Sequence, residues 1–252
     1  MKKNIKDKLR NNQIVSGCFI GTHSTYLAEI AGHIGFDFIL IDNEHGAFSW
    51  GEVEEMIRAI DTTDSVPFVR VPSSSSVDIL KALDRGAQGI HVPQVETAEE
   101  VDRIISAAKY PPQGTRGAAF SVRAAKYGLN GGEEHLKKSN ENIFITVQLE
   151  NSRGINNADS IMKKDVDMIY IGPTDLSVSS GKARFGVSDP EIKELIDYVF
   201  QTGKKNDTRV GMHIANSTEW QERKEWGASY MGISINAIIN PAMKNYIQEI
   251  KK

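Results

Sequence analysis

Residues 41–46, Ile-Asp-Asn-Glu-His-Gly, place two carboxylates and an imidazole directly after an apolar run. That run, residues 36–40, has the length and composition of a buried strand. The imidazole of His45 can take up or release a proton near neutral pH. The carboxylates of Asp42 and Glu44 could hold a cation or assist the imidazole. The stretch therefore predicts proton-transfer or metal chemistry where a strand ends and a loop begins.

Further polar side chains stand at the ends of other strand-like runs: Arg70, Gln148, Glu150, Asp175, His213, Asn216 and Asn236. Glu150 and Asp175 could hold one divalent cation and leave positions open for a bidentate ligand such as a 2-oxo acid. Such a cation would stabilise the enolate formed when the substrate loses a proton at C3. Arg70 would add positive charge near the same oxygen, and His45 is a plausible base.

Each of these residues also has a plain structural interpretation. Glu150 or Asp175 could cap the following helix or turn. Arg70 could form an internal ion pair, and His45 could be a hydrogen-bonded histidine at the rim. Their joint placement on several strand ends favours a common site.

Eight strand-like runs alternate with helical patterns along the chain. They cover residues 15–20, 36–42, 66–71, 89–93, 143–150, 166–171, 209–214 and 228–233. This alternation predicts a mostly parallel sheet, and eight repeats favour closure as a (β/α)₈ TIM barrel. We expect one barrel domain over residues 1–252, with its chemistry at the carboxyl ends of the strands.

One long segment, residues 110–142, interrupts this rhythm and is rich in turn residues. An irregular insertion of this length is typical of a lid, a binding loop or an interface element. His33 and His91 fall inside predicted elements and are interpreted as structural. The last helix is expected to open at Asn240-Pro241, since proline is favoured at the first helical position.

Several classes of function are disfavoured. No strand is followed by Gly-x-Gly-x-x-Gly, so no nucleotide cofactor is expected. No predicted strand ends in lysine, which argues against a Schiff-base aldolase. The formal charge of −3, the pI near 6.1 and the lack of a Lys/Arg block argue against a nucleic-acid surface.

The compartment is predicted from cysteine usage and from the apolar runs. The single cysteine, Cys18, lies in a predicted strand and is interpreted as a buried structural thiol. No secretory signal and no run of transmembrane length is recognised. A cytoplasmic protein without a membrane partner is expected.

Taken together, the motifs resemble the HpcH/HpaI aldolase family of metal-dependent, class II pyruvate aldolases over nearly the full length. The matching stretches are residues 35–46, 69–70, 83–87, 110–117, 148–150 and 172–177. The resemblance implies Mg²⁺ or Mn²⁺ on Glu150 and Asp175, with Co²⁺ as a further candidate. It implies Arg70 on the keto or enolate oxygen, and His45 as an acid/base oriented by Asp84.

The resemblance also implies how the 2-oxo acid binds. Gln148 would lie near it, and the backbone N–H groups around Thr174 and Asp175 would receive its carboxylate. Gly172 and Pro173, just before them, would belong to the same binding segment. Thr174 departs from the small residue usual at its position. His213 departs from an expected aliphatic residue in the acceptor pocket. We therefore expect an acceptor more polar or anionic than a simple aldehyde.

The predicted reaction is reversible aldol cleavage of a 4-hydroxy-2-oxo acid to pyruvate, or a related 2-oxo acid, and an aldehyde. A citrate-synthase-like condensation of oxaloacetate with acetyl-CoA, as in siderophore biosynthesis, is the alternative. A non-catalytic 2-oxo-acid sensor is disfavoured because a sensor needs no base. The resemblance further implies a homo-hexamer, a trimer of dimers, whose last helix is exchanged or packed between subunits.

Overall fold

The computed structural model describes residues 4–182 and 186–251. Eight parallel strands close into a barrel in chain order, and β8 pairs with β1. The strands are β1 Val15–Ile20, β2 Phe38–Asp42, β3 Val66–Arg70, β4 Gly89–Val92, β5 Phe144–Leu149, β6 Met168–Ile171, β7 Val210–Ile214 and β8 Tyr230–Ser234. The predicted (β/α)₈ barrel is therefore confirmed.

Helices surround the barrel and fill the connections between its strands. They are α1 Ile5–Arg10, α2 Thr25–Ile34, α3 Trp50–Asp61, α4 Ser76–Asp84, α5 Ala98–Ala108, α6 Gly132–Asn142, α7 Ser152–Asn156, α8 Ala158–Ile161, α9 Pro173–Ser179, α10 Pro190–Lys205, α11 Glu219–Trp226 and α12 Ile235–Ile250. Short 3₁₀ turns cover Arg123–Gly128 and Gly186–Ser188. In the described part of the chain, every helix is too short or too polar to cross a bilayer.

Two apolar layers hold the strands in place. The outer layer packs the outward faces of the strands against the helices, and it includes Cys18, whose pKa burial raises to about 12. The inner layer fills the barrel with aromatic rings, and α1 closes its amino-terminal end. Phe38 stacks on Tyr230 with ring centroids 4.3 Å apart. A Cβ on Gly17 would lie 1.8 Å from the Phe38 ring, so only glycine leaves room for it.

Local sequence signals fix several of the helix ends. Ser49 and Glu52 form a capping box at the start of α3. Gly35 ends α2 with a φ of 116°, a conformation that glycine adopts without a Cβ clash. All eight strands run parallel, so their carboxyl ends lie at one rim of the barrel.

Three segments differ from the sequence-based expectation. The insertion at 110–142 contains helix α6, whose polar sequence carries almost no apolar periodicity. Residues 173–179, for which no helix was predicted, form helix α9 with proline in its first turn. The last helix begins at Ile235 rather than at Asn240, and Pro241 lies inside it. The proline there removes one backbone donor without ending the helix.

Candidate active site

The carboxyl ends of the strands surround a cavity of about 430 Å³. The sequence-predicted residues that line it are His45, Arg70, Gln148, Gly172, Pro173, Thr174, Asp175 and His213. Glu150 is buried, and its carboxylate bonds the side chain of Gln148. The structure thus brings most of the predicted residues to one site, whereas Asp84 and Asn216 lie outside it.

Arg70 is held rigidly at the end of β3. Its Nε donates to Oδ1 of Asp42 at 2.8 Å, and its Nη2 donates to Oδ2 at 2.6 Å. Its remaining nitrogen, Nη1, lies 3.0 Å from Oε2 of Glu44. Burial raises the pKa of Asp42, but the hydrogen bonds and charge of Arg70 outweigh it and leave that pKa below its usual value. Asp42 therefore acts as the anchor of Arg70, a role that the sequence did not reveal.

Glu150 sits in a closely fitted cradle beneath the cavity. Its Oε1 accepts from the backbone N–H of Gln94 at 2.8 Å, and its Oε2 accepts from Nε2 of Gln148 at 2.8 Å. A Cβ on Gly172 would lie 2.5 Å from Oε2, so glycine is required at that position. Burial, together with the charges of Glu44 and Asp175, raises the pKa of Glu150 to about 7, against the lowering effect of its two hydrogen bonds.

Asp175 stands in the first turn of α9, on the next strand connection from Glu150. The backbone N–H groups of Thr174 and Asp175 lie in the first turn, where a helix offers them no carbonyl partner. Gly172 precedes the helix and has no side chain that could cap them. Such N–H groups favour a carboxylate. This arrangement is compatible with the predicted seat of the substrate carboxylate.

The donor set fits a divalent cation. Glu44, Glu150 and Asp175 are close enough that each raises the pKa of a neighbour, and Oε2 of Glu44 and Oε1 of Gln148 are buried without an aligned hydrogen-bond partner. Oxygen donors and excess negative charge are what Mg²⁺ and Mn²⁺ require. In residues 4–182 and 186–251, no three His, Cys, Asp or Glu side chains form a complete ligand cage. Two carboxylates with open coordination positions would account both for the concentration of negative oxygen donors and for the lack of a third protein ligand.

His45 and Asp84 do not meet within one chain. His45 is exposed at the rim of the cavity, and its backbone N–H donates to Asp42. Asp84 ends α4, which runs antiparallel to the strands and so finishes at the opposite end of the barrel. There it accepts from Nη2 of Arg116 at 2.8 Å. The expected orientation of His45 by Asp84 therefore has no support within the chain.

The structure adds residues that sequence reasoning missed. Phe19, Tyr170 and Ser234 line the cavity, and their inward direction follows from strand alternation around a closed barrel. Asn236 lines it as expected. Asn216 does not, because its Oδ1 caps the turn leading into α11.

His213 lies at the cavity wall with its ring centroid 5.6 Å from that of Phe19. Burial and the charge of Arg70 lower the pKa of His213 to about 4, so its ring is neutral at pH 7. It can donate or accept a hydrogen bond there, but it does not supply a positive charge.

A larger cavity, of about 1040 Å³, lies near the opposite end of the barrel between α4 and the insertion. Three of its basic groups are paired with carboxylates: Arg116 with Asp84, Arg123 with Asp61 and Lys138 with Glu134. None of the catalytic candidates lines it. The chemistry therefore belongs to the smaller cavity.

A (β/α)₈ barrel with carboxylates, a buried arginine and a histidine at its carboxyl rim defines an enzyme site for oxygen-rich substrates. The HpcH/HpaI aldolase/citrate lyase family matches residues 15–241, and the chain belongs to this family. Among its relatives, the 5-keto-4-deoxy-D-glucarate aldolase of Salmonella paratyphi A is 32% identical over 229 residues, which cover 90% of this chain and 88% of the relative.

Solved structures agree with this assignment. An HpcH/HpaI aldolase/citrate lyase family protein from Burkholderia cenocepacia J2315 has a TM-score of 0.94 and 27% identity, and 100% of both chains is covered. The citrate synthase SbnG has a TM-score of 0.83 and 25% identity, with 99% of both chains covered. The predictions of this family and of a carbon–carbon lyase are confirmed.

Proposed function

We propose that this chain cleaves a 4-hydroxy-2-oxo acid reversibly to pyruvate, or a related 2-oxo acid, and an aldehyde. The observation that carries the proposal is the placement of Arg70, fixed by Asp42, in one cavity with Asp175 and His45, above the buried Glu150. This set provides fixed positive charge, a cation site and a proton-transfer group in one place.

Glu150 and Asp175 would hold the divalent metal, with Mg²⁺ and Mn²⁺ as the first candidates and Co²⁺ as a third. When bound, such a metal supplies positive charge that stabilises negative charge on a substrate oxygen. The cradle of Glu150, built by Gln94, Gln148 and Gly172, keeps its carboxylate in one orientation.

Arg70 would bind the keto oxygen of the substrate and stabilise the negative charge that develops there as the carbon–carbon bond breaks. Its bidentate pair with Asp42 limits its motion, so little reorganisation is needed during the reaction. Gln148 would bind the 2-oxo acid beside it, while the first turn of α9, from Gly172 through Thr174, would receive the substrate carboxylate.

His45 would move the proton. In the cleavage direction it takes a proton from the 4-hydroxyl group and gives it to C3 of the enolate, which yields pyruvate. In the condensation direction it moves the proton from C3 of pyruvate to the new 4-hydroxyl group. Its position at the rim places it on the side from which an acceptor enters the cavity.

The nature of the relatives suggests a first substrate to test. The Salmonella relative acts on 5-keto-4-deoxy-D-glucarate, a six-carbon dicarboxylate. Removal of pyruvate from such a compound leaves a three-carbon aldehyde that bears a carboxylate. A neutral His213 at the cavity wall is suited to hydrogen-bond a polar or anionic group of this kind.

A citrate-synthase-like condensation of oxaloacetate with acetyl-CoA is the second candidate. It is supported by the resemblance to SbnG, which covers 99% of this chain at 25% identity. The identity of 32% to a curated aldolase favours cleavage as the main reaction.

A homo-oligomer, a hexamer built as a trimer of dimers, is proposed as the assembly. Helix α12 exposes Met243, Tyr246, Ile247 and Ile250 along its length. Apolar side chains that are exposed on a single chain favour burial against another surface. An exchanged or packed α12 would cover them.

The proposal is tested by incubating metal-stripped protein with 5-keto-4-deoxy-D-glucarate and measuring pyruvate. We expect release only after addition of Mg²⁺ or Mn²⁺, and none with Glu150→Ala. A parallel assay with oxaloacetate and acetyl-CoA distinguishes the second candidate. Citrate formation without cleavage of any 4-hydroxy-2-oxo acid would replace the first proposal by the second.

A further inference from the structure

A buried polar pair lies inside the barrel, beneath the candidate site. His91 on β4 is fully buried and surrounded by the rings of Phe19, Phe68 and Tyr170. Its Nε2 lies 2.7 Å from the hydroxyl of Tyr230. A polar pair in an aromatic interior costs free energy of desolvation, which its hydrogen bonds only offset. Neither residue lines the cavity, so the proposed function does not account for them.

The other nitrogen of His91 points to a second partner. Nδ1 of His91 and Oε1 of Gln148 are both buried without an aligned hydrogen-bond partner. Gln148 lies on β5 two residues beyond Thr146, the register partner of His91, and therefore faces the same side of the sheet as His91. Burial and the charge of Arg70 lower the pKa of His91 to about 3, against the opposite effect of Gln148. The ring is thus neutral, with one donor and one acceptor nitrogen.

The direction of each hydrogen bond is set by the carboxylate. Ionised Glu150 can only accept, so Gln148 presents its amide Nε2 to Oε2 of Glu150, at 2.8 Å. The amide oxygen of Gln148 then faces His91 and can only accept as well. Nδ1 of His91 must therefore carry the proton, and Nε2 must accept from the hydroxyl of Tyr230.

We infer that Tyr230, His91, Gln148 and Glu150 form one hydrogen-bonded chain that fixes the orientation of the Gln148 amide and, through it, of the Glu150 carboxylate. His91 and Tyr230 are positioning residues, because they act through Gln148. The inference rests on the proposed function only in treating Glu150 as a metal ligand. Hydrogen-bond partners behind a ligand commonly change metal affinity by 10- to 100-fold when they are removed.

The first experiment measures Mn²⁺ affinity of the metal-stripped protein by titration calorimetry. His91→Phe removes the donor to Gln148 and is expected to weaken Mn²⁺ binding roughly 10-fold. Tyr230→Phe removes one oxygen and should weaken it in the same direction by a smaller factor. The double variant should match His91→Phe alone, because Tyr230 acts only through His91.

Thr146→Val is the matched control. Thr146 is the register neighbour of His91 on β5, it is fully buried, and its hydroxyl has no aligned partner. Its replacement alters the same interior but removes no hydrogen-bonding group of the chain, so Mn²⁺ affinity should stay within about twofold of the wild type. A folded His91→Phe protein with wild-type affinity would overturn the inference. If His91→Phe does not fold, Tyr230→Phe takes its place, and a wild-type Mn²⁺ affinity in that variant would overturn the inference.

A second experiment does not depend on the metal. Protein labelled with ¹⁵N-histidine should show His91 as a neutral ring with the proton on Nδ1 from pH 8 to 9, where Glu150 is ionised, and Tyr230→Phe should shift its Nε2 resonance. A proton on Nε2, or a charged ring, would overturn the inference. If the wild type binds no Mn²⁺ while His91 carries its proton on Nδ1, the metal role of Glu150 fails and the hydrogen-bonded chain stands.

Discussion

Asp42 and Arg70 are direct neighbours in the register of β2 and β3, and they form a bidentate ion pair at the end of both strands. The pair uses Nε and Nη2 of the guanidinium and leaves Nη1 toward Glu44. Two parallel hydrogen bonds fix the plane of a guanidinium as well as its position. The cationic group of the site is therefore part of the strand framework and does not depend on a mobile loop.

Loss of this anchor should lower stability as well as activity. Asp42→Ala leaves the charge of Arg70 buried without its main partner, and we expect a loss of about 3 kcal/mol in the free energy of unfolding. Removal of both charges in the double variant Asp42→Ala/Arg70→Met should recover much of the lost free energy of unfolding. Urea unfolding of the wild type and the variants measures both effects. Equal stability of the wild type and Asp42→Ala would contradict the role given to Asp42.

Gly172 is predicted to be essential for the site but not for the fold. Gly172→Ala would place a Cβ 2.5 Å from Oε2 of Glu150 and displace the carboxylate. We expect Mn²⁺ affinity to fall by roughly 100-fold with a folded barrel, as judged by calorimetry and circular dichroism. Gly117→Ala is the control, because a Cβ there has nothing within 4 Å. Unchanged affinity in Gly172→Ala would mean that Glu150 does not need its cradle.

The raised pKa of Glu150 predicts a pH dependence of stability in the absence of metal. Its pKa is about 7 in the folded protein, whereas a glutamate in an unfolded chain has a pKa of about 4.5. The protonated Glu150 therefore stabilises the fold fully below pH 4.5, and this contribution is lost as the pH rises through 7. The shift corresponds to about 3 kcal/mol by pH 8. Glu150→Gln should remove this loss, whereas the exposed control Glu141→Gln should retain it. Urea unfolding at pH 5 and pH 8 measures the difference, and parallel pH curves for all three proteins would argue against the shift.

His213 is predicted to select the acceptor. His213→Leu keeps the wall of the cavity filled but removes the hydrogen-bonding ring. We expect kcat/KM for an aldehyde that bears a carboxylate to fall about 10-fold or more relative to an uncharged aldehyde. Competitive condensation assays with pyruvate and the two aldehydes measure this ratio. An unchanged ratio would remove His213 from acceptor recognition.

Helix α12 is predicted to be an interface between subunits. Tyr246→Glu and Ile250→Glu place charges on its exposed apolar face and should reduce the assembly to smaller species, since burial of an unpaired charge is costly. Lys244→Glu, at an exposed position two residues from Tyr246, is the control for a charge change on the same helix. Light scattering after size-exclusion chromatography gives the masses. Identical masses for all variants would exclude α12 from the interface.

Much of this architecture could be predicted from the sequence. Each strand of the barrel could be identified as a continuous apolar run, because a parallel strand is buried on both of its faces. Strand ends then converge by topology, which is why most of the predicted residues meet at one site. The polar helix α6 escaped prediction because its sequence offers no apolar stripe.

The pairings inside the site could not be predicted. Whether Asp42 binds a metal or an arginine depends on which strands are neighbours and on their register. The orientation of His45 by Asp84 followed from resemblance alone, and the antiparallel course of α4 separates the two residues within the chain. His91 was interpreted as structural because a histidine inside a strand gives no sign of its partners across the barrel.

The most direct test of the central claim is hydrogen exchange at the methyl group of pyruvate, which needs no knowledge of the acceptor. Proton NMR in D₂O follows the loss of the methyl signal as the enolate forms and is deuterated. We predict exchange by the wild type with Mn²⁺ or Mg²⁺, a large decrease in Arg70→Ala and Glu150→Ala, and none above background after chelation. Exchange that is absent in the metal-loaded wild type would contradict an enolate-forming site in this barrel.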